Sequence, residues 1–368
     1  MNPSDNELVK PVREHDVASA SGRPRRGLTV PVALVAAPVL AQLLAGVAEA
    51  HGGLVPPEPT AIAFLLDWSF DPLVWLPAIL ALVTWRALAG RANRAHPESP
   101  VERRRTISFV LGVAAIVIAL DSGIARYDTT LFSVHMVQHL VLTLLAPPLL
   151  LWAGPITLLL RAVSHETRRR VILPILHARL LRLLAFPVVS WTLFSAVMWA
   201  THFSPLFDLS LENPAVHMAE HALFLVAALL FWWPVTGPDP APWRLPRAGK
   251  IAYAFLQMPQ NTFLAVSIYM SSTPLYSHYV TTIRSWGPTP LEDQAIAGGI
   301  MWVGGDVVFL GAVGLLLVAW MRAEERGVVA EDRRLEPERA AIREREAKLA
   351  ARRATESGQA SGGTGAAR

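Results

Sequence analysis

The chain alternates between long apolar stretches and shorter polar segments that are rich in arginine or in acidic residues. Most apolar stretches are about 20 residues long, which is the length that an α-helix needs to cross a bilayer. We predict eight spanning helices, at residues 28–47, 70–88, 106–120, 131–160, 186–203, 214–235, 250–270 and 294–320. The predicted fold is an all-α, polytopic transmembrane helix bundle over residues 28–321, between a basic segment at 1–27 and a charged tail at 322–368.

Prolines interrupt two of the predicted helices. Pro147 and Pro148 lie in the second half of the fourth span, and Pro259 lies in the seventh. Because proline lacks the amide hydrogen of the helical ladder and its ring clashes with the preceding turn, we expect a kink or a break at both places.

The first predicted span has an alternative interpretation as a secretory signal. Basic residues at 23–26 precede its apolar run, which ends in Ala48-Glu49-Ala50, a pattern typical of a cleavage site. Cleavage there would leave His51 at the new N-terminus and would reduce the bundle to seven spans.

Lysine and arginine concentrate in alternate loops, as in the runs at 103–105 and 168–170. The intervening loops carry mainly acidic residues, among them Asp128, Asp208 and Glu212. Because positively charged loops remain in the cytoplasm, this alternation predicts that both termini are cytoplasmic. The tail mixes basic and acidic residues and ends in Gly, Ser and Ala, so we expect a solvated helix that fades into disorder.

Composition narrows the possible chemistry. The chain has 368 residues, 52% of them hydrophobic, and it contains no cysteine, so disulfides and thiolate metal sites are excluded. The net charge of +4 reflects the loop arginines and does not indicate binding of nucleic acid. There is no phosphate-binding loop, dinucleotide fingerprint or HExxH motif, and the sequence therefore favours a function other than catalysis.

One motif occurs twice. His135-Met136-Val137-Gln138-His139 lies near the start of the fourth span, and His217-Met218-Ala219-Glu220-His221 lies near the start of the sixth. On a helix, histidines at i and i+4 lie about 40° apart and about 6 Å apart along the axis, and the methionine shares their arc. Imidazole and thioether are ligands that suit Cu(I).

The predicted orientation gives the two motifs a shared depth. Both spans run from outside to inside, so all four histidines lie in the outer halves of their helices, and His202 ends the fifth span on the same side. A structural role is the alternative, because histidines inside a membrane can form hydrogen bonds between helices without binding a metal. The candidate metal ligands are His135, His139, His202, His217, His221, Met136 and Met218.

Two carboxylates are further candidates. Asp121 ends the third span and is a candidate to accept a hydrogen bond from a histidine that binds the metal. An exposed position at the membrane surface is an equal alternative. Asp306 lies near the middle of the eighth span, where a carboxylate is costly, and it would either take part in ion transfer or lock helices together.

At these motifs the sequence resembles the CtaG family of bacterial cytochrome c oxidase assembly factors. The resemblance covers about residues 28–325 and rests on both histidine motifs and on the segments at 146–149, 233–234, 259–261 and 294–302. It implies a multi-pass protein of the bacterial inner membrane that supplies copper to the catalytic subunit of a haem-copper oxidase. The choice of histidines as ligands comes from spacing and depth and not from the family.

Two alternative functions remain open from the sequence. Histidines on facing helices can ligate haem from both sides, which would make the protein a haem-binding redox protein. A transporter of copper or protons, with Asp306 on its path, is the other possibility. Copper ligation shared by the two motifs requires their imidazoles to lie within about 10 Å of each other, since ligand nitrogens lie near 2 Å from a metal.

Overall fold

The structure is a computed structural model that describes residues 55–60, 62 and 67–362, with side chains as far as residue 353. The predicted first span, the candidate cleavage site at 48–50 and His51 lie outside the described residues. The regular structure of the described residues is all helical, with no β-strand among them, which confirms that the fold is all-α.

Sixteen α-helices follow one another in the described part of the chain. They are α1 (Pro72–Ala95), α2 (Arg103–Asp121), α3 (Gly123–Tyr127), α4 (Phe132–Leu140), α5 (Ala146–Ala153), α6 (Pro155–Ala162), α7 (His165–Thr167), α8 (Leu173–Leu176), α9 (Arg179–Leu184), α10 (Pro187–His202), α11 (Leu206–Glu212), α12 (Pro214–Trp232), α13 (Arg247–Tyr269), α14 (Ser277–Thr281), α15 (Pro290–Gly299) and α16 (Gly305–Gly362). Three π-helical segments, π1 (Val141–Leu145), π2 (Arg168–Ile172) and π3 (Ile300–Gly304), join α4 to α5, α7 to α8 and α15 to α16.

Five described helical stretches are long and apolar enough to cross a membrane. They are Pro72–Ala95, Arg103–Tyr127, Phe132–Ala162, Pro214–Trp232 and Pro290–Arg353. The predicted spans at 186–203 and 250–270 are also helical, as α10 and α13. However, α10 has only 16 residues and α13 carries several polar side chains in its middle. Exposed apolar side chains such as Leu76, Phe263 and Leu315 suit a lipid environment.

The predicted break at Pro147 takes the form of a π-helical segment. Because Pro147 has no amide hydrogen, the carbonyl of Thr143 lacks its usual partner four residues along the helix. The indole Nε1 of Trp232 donates to that carbonyl at 3.0 Å, so the break ties α12 to π1. By contrast, α13 is a continuous helix through Pro259.

A buried carboxylate fixes the start of α4. Asp293 accepts hydrogen bonds from the amides of Phe132, at 2.7 Å, and Ser133, at 3.3 Å, and so caps the first turn of α4. Its carboxylate also lies 3.9 Å from Arg284, and both side chains are almost fully buried. The start of the helix that carries the first histidine motif is therefore set by a residue of α15.

The described part of the tail is helical, since α16 continues to Gly362. Its sequence there is rich in Ala, Glu and Arg, which are good helix formers, and pairs such as Lys348–Glu344 lie one turn apart on its exposed surface. As far as Gly362 the tail is thus the solvated helix that the charge pattern indicates, and its fading into disorder stays a prediction.

Candidate metal centre

The two histidine motifs meet at one end of the bundle. The first turns of α4 and α12 lie beside the last turn of α10, and this arrangement brings His135, His139, His202, His217 and His221 into one cluster. All five side chains are buried, with exposed fractions of 0 to 8%. Neighbouring ring centroids lie 4.2 Å apart for His135–His139 and His217–His221, 5.4 Å for His135–His217, 5.9 Å for His139–His202 and 6.0 Å for His139–His221. The five residues are called the histidine cluster below.

Two phenylalanine rings enclose the histidine cluster. Phe207 of α11 lies 5.1 Å from the ring of His135 and 5.6 Å from that of His202. Phe224 of α12 lies 4.5 Å from the ring of His139 on the other side. Both phenylalanines are fully buried, so the histidines occupy a dry apolar shell in which an unsatisfied polar group is costly.

Several ring nitrogens in this shell lack protein partners. Neither nitrogen of His135 and neither nitrogen of His139 makes a hydrogen bond to the described residues. Buried polar groups are normally satisfied, and an exception asks for an explanation such as a bound ion. A metal ion accepts the nitrogen lone pairs directly, so the donor set of the cluster fits a metal.

Hydrogen bonds fix the protonation pattern of His202. Its Nδ1 lies 2.7 Å from the carbonyl oxygen of Met198, so Nδ1 carries the proton and donates. The lone pair is then on Nε2, which makes no hydrogen bond within the described part of the chain. Metal-binding histidines are commonly oriented in this way, by donating their other ring nitrogen to a carbonyl group.

Gln138, the fourth residue of the first motif, fixes His221. Its side-chain amide donates to the carbonyl of Ala119 at 2.9 Å and to the carboxylate of Asp128 at 2.8 Å. Both amide hydrogens are used, so Oε1 acts as an acceptor from His221 Nε2 at 3.1 Å. The lone pair of His221 that can bind a metal is therefore on Nδ1.

Burial controls the charge of the supporting carboxylate. Asp128 lies between α3 and α4, outside the spanning stretches, and is 1% exposed. Burial raises the pKa of Asp128 to about 7, and the hydrogen bond from Gln138 opposes that shift. Its protonation therefore changes within the physiological pH range.

A potential ligand triad lies nearest the helix ends. One ligand atom each from His135, His217 and Glu220 can be chosen so that all three lie within 4.8 Å of one another. His217 and Glu220 are three residues apart on α12 and share a face, while His135 faces them from α4. We call these three residues the terminal triad.

A small cavity lies deeper in the bundle, beside His139 and His202. Its volume is about 20 Å³, enough for one water-sized sphere. The residues that line it include His139, His202, Met136, Met198 and Met301. We call it the Met/His cavity, because imidazoles and thioethers are its principal candidate donors.

The two motif methionines have different environments. Met136 is 1% exposed and lines the Met/His cavity. Met218 is only half-buried and is not among the residues that line the cavity. The equivalence suggested by the repeated sequence does not extend to these two side chains.

Asp121 takes neither of the two roles considered for it: it is fully buried, and no histidine is among its hydrogen-bond partners in the described part of the chain. Its carboxylate accepts hydrogen bonds from Ser69 Oγ, Trp75 Nε1 and the amides of Phe70 and Asp71, at 2.6 to 3.1 Å. These bonds tie the end of α2 to the start of α1, where Phe70 has a left-handed backbone with φ of 53°. The carboxylate ties α2 to α1 because the segment just before α1 presents three donors to it and Trp75 of α1 presents a fourth.

Asp306 lies away from the Met/His cavity. It is the second residue of α16, is half-buried, and accepts a hydrogen bond from Thr262 Oγ1 of α13 at 2.8 Å. It is not among the residues that line the cavity. The contact with Thr262 joins two helices, which is one of the two roles expected for it.

Sequence reasoning missed several residues of this site. Glu220 and Gln138 lie at a position where the two motifs differ. Both are polar residues within apolar helices, and this pattern alone could have indicated a functional role for them. Phe207 and Phe224 carried no signal, because phenylalanine is common in such helices.

Comparisons with known proteins agree with the sequence resemblance. A family model described as cytochrome c oxidase caa3 assembly factor (Caa3_CtaG) matches residues 82–323. Uncharacterized proteins of Mycobacterium bovis and Mycobacterium tuberculosis are each 33% identical over 288 residues, and one of Mycobacterium leprae is 30% identical over the same length. The alignments cover 76% of this chain and 43% of each relative, so the chain spans less than half the length of these curated relatives. No solved structure matches the chain.

Proposed function

Because this chain belongs to the family of cytochrome c oxidase caa3 assembly factors, we propose that it accepts copper at the histidine cluster and delivers it to the catalytic subunit of a haem-copper oxidase. The observation that carries the proposal is the burial of five histidines in one cluster, with the ring nitrogens of His135 and His139 unpartnered by described residues.

The chemistry of the donors suits a carrier of copper. Imidazole and thioether bind Cu(I) without thiolates, which this cysteine-free chain lacks. A site built from neutral donors holds Cu(I) less tightly than a thiolate site, and the ion is then easier to release to an acceptor. The dry shell formed by Phe207 and Phe224 limits access of water to the bound ion.

The location of the site fits delivery within a membrane. We propose that the chain crosses the bacterial cell membrane eight times, with α10 and α13 among the spans and both termini in the cytoplasm. This orientation follows from the arginine-rich loops and places the histidine cluster near the outer surface. A client subunit in the same bilayer would receive copper at that depth.

The size of the Met/His cavity favours an ion over the alternatives. A volume of about 20 Å³ accommodates a single ion or water, and a porphyrin is many times larger. For ion transport, a polar route from the cluster towards Asp306 would be needed, and Asp306 is bound to Thr262 instead of lining the cavity. These features favour acceptance and delivery of copper.

The test uses cells that make the client oxidase. In these cells the native chain is replaced by the variant His135→Ala/His139→Ala/His217→Ala/His221→Ala. The matched control is His96→Ala/His165→Ala, which removes two exposed histidines outside the cluster. We expect the quadruple variant to yield an oxidase with haem but less than about a tenth of the normal copper, and the control to yield normal copper. A normal copper-to-haem ratio, with the quadruple variant present in the membrane at the level of the control, would contradict the proposal.

A further inference from the structure

We infer that the histidine cluster contains two adjacent metal sites of different chemistry, and that the Met/His cavity is the one selective for Cu(I). The inference rests on the proposed copper-handling function and specifies where that metal is held. The terminal triad would bind a divalent ion, and the Met/His cavity would bind Cu(I) through thioether sulfur as well as imidazole.

The donors of the Met/His cavity point to a soft ion. His139 and His202 are both 2% exposed and line the cavity, and each has ring nitrogen without a hydrogen-bond partner in the described chain. Met136, Met198 and Met301 bring three thioether sulfurs to the lining, and the side chains with oxygen atoms there are Thr143, Ser195, Gln257, Gln260 and Asn261. No carboxylate among the described residues lines the cavity, so its donors are neutral, and the thioethers and imidazoles among them favour Cu(I) over divalent ions.

The local helix geometry gives the cavity its shape. Met301 lies within π3, and π1 begins two residues after His139, so π-helical segments flank the cavity on two helices. Such segments often occur at functional sites because they redirect side chains. The carbonyl of Met301 also accepts a hydrogen bond from Asn261 Nδ2 at 3.1 Å, which fixes its backbone against α13.

The terminal triad has a different donor set. Two histidines and the carboxylate of Glu220 form the combination that holds Zn²⁺ in sites with an open fourth position. His135 of the triad and His139 of the cavity are one turn apart, with ring centroids 4.2 Å from each other. An ion can therefore exchange ligands between the two sites over a short distance.

The experiment uses the full chain labelled with selenomethionine and loaded anaerobically with one equivalent of Cu(I). X-ray absorption at the copper and selenium edges is measured in detergent. We expect direct copper–selenium scattering at both edges together with imidazole scattering. This measurement needs no substitution, so it does not depend on how well a variant folds.

Variants then locate the sulfur donors. We expect Met136→Leu/Met198→Leu/Met301→Leu to weaken Cu(I) affinity at least tenfold in competition with a chelator. The matched control, Met270→Leu/Met321→Leu, removes two exposed methionines and should leave that affinity unchanged. Co²⁺ probes the other site: its visible absorption should be lost in Glu220→Gln and retained in the triple methionine variant.

Each outcome has a distinct meaning. Copper bound by nitrogen alone, with no selenium neighbour, would overturn the Met/His cavity as the Cu(I) site and leave the proposed function intact. No copper bound at all would overturn the proposed function itself. If Glu220→Gln lost Cu(I) and Co²⁺ equally, the division into two sites would be wrong.

Discussion

Replacing Asp128 with asparagine tests the hydrogen-bond network that orients His221. Asp128 accepts a hydrogen bond from Gln138, which in turn accepts one from His221. Asparagine keeps an oxygen acceptor for Gln138 and cannot ionise. The Asp128→Asn variant therefore preserves the geometry of the network while it removes one titration.

The sign and size of the effect follow from the pKa of Asp128. The pKa is raised from 3.8 to about 7 in the folded protein, so the folded state holds a proton that the unfolded state releases. The stabilising contribution is fully present below about pH 4 and is lost as the pH rises to about 7. Each pH unit in this window is worth about 1.4 kcal/mol, so the loss amounts to about 4 kcal/mol. Asp128→Asn should remain stable over the same range.

The assay compares the free energies of unfolding of the two proteins in detergent between pH 4 and pH 8. We expect the advantage of Asp128→Asn over the native chain to grow with pH and to level off above pH 7. Glu331→Gln, at an exposed carboxylate of the tail, serves as the control and should show no such growth. A difference between Asp128→Asn and the native chain that stays constant with pH would show that Asp128 does not bind a proton on folding.

Three further substitutions test how the site is supported. Asp121→Ala should lower the free energy of unfolding by about 3–5 kcal/mol, because four donors lose their acceptor. The Cu(I) affinity of this variant should change less than threefold. A loss of copper binding without a loss of stability would show that Asp121 supports the metal site. Gly298→Ala should lower the free energy of unfolding by about 1–3 kcal/mol, since a Cβ there would lie 2.8 Å from the backbone nitrogen of Tyr269. An unchanged melting temperature would contradict that close approach. Arg284→Met should lower the free energy of unfolding by about 3 kcal/mol, because it leaves Asp293 buried without its cation. A stability equal to that of the native chain would show that the ion pair does not stabilise the fold.

The sequence predicted the meeting of the two motifs for sound physical reasons. Helical spacing placed both histidines of each motif on one arc, and the alternation of loop charge placed both motifs at one depth. The ring contacts between His135 and His217 and between His139 and His221 confirm that the two segments face each other.

Other features depended on packing that a sequence pattern does not encode. Met136 and Met218 hold the same position in the two motifs, but only Met136 faces the Met/His cavity, because different helices pack against α4 and α12. Asp121 was a candidate to support a histidine or to lie exposed at the membrane surface, yet donors at and just before the start of α1 determine its contacts. The three hydrogen-bond partners of Gln138 come from α2, from the segment before α4 and from α12, and the motif alone does not indicate them.

The Cu(I) content of the purified full chain shows whether the histidine cluster binds copper. Cu(I) is titrated anaerobically against a chelator of known affinity, for the native chain, for the quadruple histidine variant and for the His96→Ala/His165→Ala control. We expect about one tightly held Cu(I) per chain in the native and control proteins, and a loss of at least a hundredfold in affinity in the quadruple variant. Equal Cu(I) affinity in all three proteins would contradict this expectation.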